Sequence, residues 1–212
     1  MRTADLVSLL AKDASPVRAP PPGLRLAGAA LAGAAISAAL LLALLGLRPM
    51  HEAMHSPSFW MKAAYTLILA AAGWLTAASL ARPGGRAGIG VWLAVAGVAW
   101  LASLAMMETM RTPASGMTRL WLGWTWNLCP WRILALAAPV FVAALRTMQH
   151  MAPTRPALAG AAAGLFAGGV GASVYGLYCE ETAAAFVVLW YTLGVAACAA
   201  LGAAIGSRWL RW

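Results

Sequence analysis

The chain of 212 residues is 62% hydrophobic and only 10% charged, and its mean hydropathy of +0.76 lies far outside the range of a soluble domain. Its net charge is +9, but the basic residues stand singly at the ends of apolar segments, which argues against nucleic-acid binding and is typical of membrane proteins. We therefore predict an all-α integral membrane protein that contacts lipid, binds no nucleic acid directly, and has no room for a soluble enzyme domain.

The first 23 residues form a segment of their own. Leu6, Leu9 and Leu10 fall at positions i, i+3 and i+4 of a short amphipathic helix, and the proline-rich run 15–23 ends it. Nothing nearby in the sequence covers this apolar face. It either rests on the membrane surface or docks to a partner, and the residues leave both alternatives open. The predicted domains are this segment, 1–23, and a transmembrane domain, 24–212.

The transmembrane domain contains six apolar runs. A membrane span needs about 20 mostly apolar residues, and the runs predict helices over 24–47, 59–81, 88–107, 127–146, 157–178 and 183–206. Trp60 and Lys62 fit an interfacial anchor at the start of the second span. Gly160, Gly164 and Gly168 recur at helical spacing in the fifth span and predict a small-residue face for close helix packing.

Six spans place both termini on one side, and the basic residues indicate which side. The side of the termini carries Arg2, Lys12, Arg18, Arg25, Arg82, Arg86, Arg146, Arg155, Arg208 and Arg211, and the other carries Arg48, Lys62, Arg111, Arg119 and Arg132. Ten against five predicts cytoplasmic termini by the positive-inside rule. Cys129 and Cys179 then lie at outer helix ends.

The three cysteines have different predicted roles. Cys198 lies mid-span among small residues and fits a packing role. Cys129 begins the fourth span close to Arg132, where a thiol is predicted to be reactive, and Cys179 ends the fifth. The outer pair is either a permanent disulfide between two loops or a sensor of redox change or soft metal ions, and the residues favour neither.

A metal-based alternative arises from His51-Glu52-Ala53-Met54-His55, which is formally the HExxH motif of zinc proteases. Pro49 and Pro57 leave it only a short outer loop, so we predict no protease, no catalytic residue and no cofactor. A weak metal site at His51 and His55 is more plausible. The alternative function is a metal-handling or transport protein that uses these histidines with Cys129 and Cys179, although no ionisable residue is expected at mid-membrane.

Short motifs in a fixed order carry a resemblance to a known family. They are Thr3-Ala4-Asp5-Leu6 with Leu9, Arg48-Pro49, Phe59-Trp60-Met61-Lys62, Arg82-Pro83-Gly84, Leu128-Cys129, Arg146, Ala152-Pro153, the three spaced glycines, Tyr175 to Glu180, Phe186, Trp190-Tyr191 and Leu210-Arg211-Trp212. With them the chain resembles the NrsF family of proteobacterial membrane anti-sigma factors. Met50 departs from the pattern, because an acidic residue is expected after Arg48-Pro49.

The resemblance implies a regulator in the bacterial inner membrane that holds an extracytoplasmic-function sigma factor inactive until a periplasmic stress is sensed. The paired cysteines of the family map onto Cys129 and Cys179. We expect these two residues to respond to redox or heavy-metal stress, and Asp5, Leu6, Leu9 and Leu10 to bind the sigma factor.

Overall fold

The computed structural model describes residues 3–12, 20–82, 84–151 and 153–211. Within them the fold is all helical, without strands. The helices are α1 (Thr3–Lys12), α2 (Pro22–Leu44), α3 (Met50–His55), α4 (Pro57–Leu80), α5 (Ile89–Arg111), α6 (Met117–Leu122), α7 (Cys129–Gln149), α8 (Pro156–Gly176) and α9 (Ala184–Trp209).

Six of these helices, α2, α4, α5, α7, α8 and α9, are long and apolar enough to cross a membrane. Proline occupies the first turn of α2, α4, α7 and α8, where its fixed φ suits a helix start and its missing N–H is not needed. Gly46 follows α2 with a φ of +81° and donates its N–H to the Leu41 carbonyl, which ends that helix with a left-handed residue.

Helix α8 lies at the centre of the bundle and contacts α2, α4, α7 and α9. Its small residues permit this position. A Cβ on Gly160 would come within 2.8 Å of the Gly206 Cα, and one on Gly164 within 2.7 Å of the Cys198 carbonyl carbon. The predicted small-residue face is therefore confirmed, and it packs against α9.

The bundle has two ends. One end, called the terminal end below, contains the start of α2, the turns 81–88 and 150–155, and the end of α9; a hydrogen bond from Trp74 Nε1 to the Gly23 carbonyl ties α4 to α2 near it. The opposite end contains the loops 45–49, 112–128 and 177–183, and it is called the cysteine end because Cys129 and Cys179 both lie there.

The predicted spans agree with the long helices to within a few residues, but three local expectations were wrong. The His51–His55 segment is a short helix, α3, and not a loop. Helix α5 continues to Arg111 and so includes Glu108, whereas the predicted span ended at 107. Lys62 is only 2% exposed and points into the bundle, whereas its neighbour Trp60 is 59% exposed and fits the predicted anchor.

The structure describes part of the N-terminal segment. A helix occupies Thr3–Lys12, but the side chains of Leu6, Leu9 and Leu10 and the linker 13–19 lie outside the described residues. Its amphipathic docking face, its cytoplasmic location and the insertion of the six long helices into a membrane stay predictions.

Candidate functional site

The two outer cysteines meet in one buried cluster at the cysteine end. Cys129 begins α7 and donates its backbone N–H to the Thr125 carbonyl at 2.9 Å. Cys179 follows α8 and donates its N–H to the Tyr175 carbonyl at 3.0 Å. Their exposed fractions are 0% and 2%, both belong to the same buried cluster, and both are free thiols.

This burial differs from the accessible thiols that the sequence suggested. A cysteine at a helix end was expected to face solvent, but both cysteines belong to a buried cluster that also contains the start of α9, and Leu120 and Trp121 of α6 pack against this cluster. Cys179 lines a cavity together with Arg48 and Thr125, so a reagent that approaches through this cavity meets Cys179 before the fully buried Cys129.

Two tyrosines form the inner wall of the cluster. The rings of Tyr175 on α8 and Tyr191 on α9 are fully buried, with centroids 5.7 Å apart. The Tyr175 hydroxyl lies beside Cys129 and the Tyr191 hydroxyl beside Cys179, yet neither completes a well-aligned hydrogen bond to the described residues. Tyr191 ends a π-helical turn, Val187–Tyr191, an irregularity often found at functional sites.

Two cations approach the same cluster from other helices. Lys62 Nζ donates to the Cys179 carbonyl at 3.0 Å and lies 5.6 Å from the centre of the Tyr191 ring. Arg48 Nη1 donates to the same carbonyl at 3.2 Å, and its guanidinium lies 4.9 Å from the centre of the Phe59 ring. The cluster therefore combines two thiols with two positive charges.

Two carboxylates accept hydrogen bonds from backbone N–H groups of the segments next to the cluster. Glu181 accepts the Trp124 N–H at 2.6 Å, and Gly123 permits this geometry with a φ of +57°. Glu108 accepts the N–H groups of Ala184 and Ala185 at 2.7 and 3.2 Å, which satisfies the start of α9 and places a negative charge at its positive end. These contacts fix the positions of the loop 112–128 and of the start of α9 beside the cluster.

The remaining predicted residues lie elsewhere. Among the described residues of the thiol cluster, none comes from α1, and Asp5 on that helix is exposed. The rings of His51 and His55 are 5.1 Å apart on α3. Among the described residues, no three His, Cys, Asp or Glu side chains are grouped so that they could hold a metal ion.

Sequence reasoning missed the roles of Arg48, Lys62, Tyr175 and Tyr191. The signal for Lys62 was present, because an ionisable residue within an apolar run generally faces the bundle interior. Its neighbour Trp60 had suggested a place at the membrane interface instead. The tyrosines gave no signal of their own, since their place depends on how α8 and α9 pack.

Comparison with known proteins decides the family. A family model described as "NrsF: Negative regulator of sigma F" matches residues 10–212. Two relatives are each 41% identical over the whole of both chains: "Anti-sigma-F factor NrsF" of Caulobacter vibrioides and "Probable anti-sigma-F factor NrsF" of Azospira oryzae. The chain belongs to the NrsF family. No solved structure matches it.

Proposed function

We propose that the chain is an anti-sigma factor of the bacterial inner membrane, and that it holds an extracytoplasmic-function sigma factor in an inactive complex. The observation that carries this proposal is the match to anti-sigma-F factors at 41% identity over full length. Six helices with the length and composition of membrane spans support the membrane location.

The second part of the proposal is that Cys129 and Cys179 sense the inducing stress. Two thiols, one at the start of α7 and one in the loop after α8, share one cluster at the end of the bundle opposite the chain termini. With cytoplasmic termini they lie on the periplasmic side, where oxidants and heavy-metal ions arrive first. Disulfide formation transfers two electrons from the two thiols to an external oxidant and releases two protons. A soft metal ion displaces the two protons without any transfer of electrons.

The third part concerns the sigma factor. Helix α1 is proposed to bind it through Asp5, Leu6, Leu9 and Leu10. A helix of this length offers only a modest interface, so the exposed arginines of the terminal end are proposed to add electrostatic attraction. They are Arg25, Arg82, Arg86, Arg146, Arg155, Arg208 and Arg211.

Replacing the α1 leucines tests the docking surface. We expect Leu6→Ser/Leu9→Ser/Leu10→Ser to lower the amount of co-expressed sigma factor of the sigma F type that purifies with the tagged chain, by about tenfold, which corresponds to about 1.4 kcal/mol. The triple variant should still enter the membrane fraction, because none of the six long helices is altered.

The matched control is Ser8→Ala, at an exposed residue of the same helix that stands outside the leucine pattern. It should leave the amount of bound sigma factor unchanged. Undiminished co-purification with the triple variant would refute the docking role of α1.

A further inference from the structure

The carbonyl oxygen of Cys179 is the meeting point of three separate parts of the chain. Arg48 comes from the loop after α2, Lys62 from the second turn of α4, and Cys179 from the loop between α8 and α9. Both cations donate a hydrogen bond to this one oxygen, at 3.2 and 3.0 Å. The backbone of a candidate sensing residue is thus fixed by two charged side chains.

This arrangement leaves both charges poorly neutralised. Lys62 is 2% exposed, and among the described residues no carboxylate lies within ion-pair distance of its ammonium group. The Arg48 Nε and Nη2 atoms are buried and make no hydrogen bond to the described residues. Buried cations are normally paired with an acid. Both cations instead donate to a neutral carbonyl. The effect of these two hydrogen bonds is to fix the backbone of Cys179 in place.

Movement of that position has consequences for other helices. Cys179 is buried within the loop 177–183, and one way for a reagent to reach its thiol is displacement of this loop. The displacement breaks both hydrogen bonds to the Cys179 carbonyl together. It releases one cation on α4 and one at the end of α2, and α2 is the helix that leads back to the N-terminal segment.

On the basis of the proposed function, we propose that Lys62 and Arg48 are positioning residues of the sensor: by holding the Cys179 carbonyl they keep the thiol pair closed. Thiol chemistry at Cys179 is thereby coupled to α2 and α4.

The rate of thiol labelling in the full-length chain tests this proposal. N-ethylmaleimide is small, and its double bond takes up the thiol without any oxidant. In purified chain, Lys62→Met should raise the labelling rate of Cys179 by about tenfold or more, the effect expected when a hydrogen bond from a charged donor is lost. Lys62→Arg keeps a donor and a charge and should stay within about twofold of wild type. Arg48→Met should also raise the rate.

Two internal controls keep the result specific. Cys198 is buried in the middle of α9 and should stay unlabelled in every variant, so labelling of Cys198 in step with Cys179 would show general unfolding and overturn the proposal. Arg111→Met, at an exposed residue of the cysteine end, should label as wild type. A Cys179 rate in Lys62→Met that equals or falls below wild type would also overturn it.

The assay contains no sigma factor, so its outcome is independent of the proposed function. If Lys62→Met exposes Cys179 selectively but thiol modification of wild type does not release sigma factor, the positioning role stands and the proposed signalling fails. If sigma factor is released on thiol modification while the Lys62 and Arg48 variants label as wild type, the signalling stands and the positioning role fails.

Discussion

At the scale of single residues, the cluster is organised by charged groups bound to backbone atoms. Lys62 and Arg48 bind a carbonyl, while Glu108 and Glu181 bind N–H groups. In a bundle whose helices are mostly Ala, Leu and Gly, these contacts fix loops that apolar packing alone would leave free to slide. We therefore infer that the loop positions at the cysteine end depend on a few side chains, each of which can be tested separately.

Among these side chains, Glu108 has the most direct expected effect on the stability of the fold. Its carboxylate satisfies two N–H groups at the start of α9, so Glu108→Ala should lower the free energy of unfolding by about 1–2 kcal/mol, as loss of a helix cap does. Thermal unfolding of the detergent-solubilised chain measures this.

Glu180→Ala is the matched control, because Glu180 is an exposed carboxylate at the same end of the bundle. It should change the unfolding free energy by less than about 0.5 kcal/mol. Equal effects of the two substitutions would show that Glu108 has no capping role.

At the scale of helices, α8 is the element on which the bundle is assembled. Glycines let it approach α4, α7 and α9 at backbone distance: a Cβ on Gly171 would come within 2.7 Å of the Ala137 backbone nitrogen on α7, and one on Gly169 within 2.6 Å of the Ala70 Cα on α4. Close contact on three sides makes α8 sensitive to added volume, and it places Tyr175 at the centre of the cysteine end.

Gly164→Val should be severely destabilising, because the new side chain would collide with the Cys198 carbonyl of α9. We expect a loss of about 3 kcal/mol, near the upper end for overpacked sites. Gly28→Ala on α2 is the control, since a Cβ there meets nothing within 4 Å, and it should stabilise the helix by up to about 1 kcal/mol. Thermal unfolding in detergent of both variants gives the comparison, and a stable Gly164→Val chain would contradict the packing of α8 on α9.

Much of the helix arrangement could be predicted from the sequence. The six apolar runs predicted the long helices because length and hydrophobicity alone determine such spans, and the spacing of Gly160, Gly164 and Gly168 predicted a packing face. Its partner could not be predicted, because several helices carry small residues. The inward direction of Lys62 and the burial of Cys129 and Cys179 were missed for a related reason: they depend on which loops fold over which helix ends, and local pattern does not encode that choice.

At the scale of the whole molecule, positive charge is unevenly distributed between the two ends. At the cysteine end, four glutamates nearly balance five basic residues: Glu52, Glu108, Glu180 and Glu181 against Arg48, Lys62, Arg111, Arg119 and Arg132. Seven exposed arginines of the described ranges lie at the terminal end. This distribution agrees with the positive-inside rule for cytoplasmic termini. It also suits the proposed division of labour, in which one end receives a chemical signal and the other binds a regulatory protein.

The central claim is that the thiol pair at one end controls a partner at the other, and the retention of sigma factor on sealed, right-side-out membranes tests it most directly. Cd²⁺ or a thiol oxidant would be added outside, and the co-expressed sigma factor still bound inside would be measured for wild type and for Cys129→Ser/Cys179→Ser. The account predicts that wild type releases most of its sigma factor, while the double variant keeps its bound fraction constant. Equal behaviour of the two, whether both release or both retain, would contradict it.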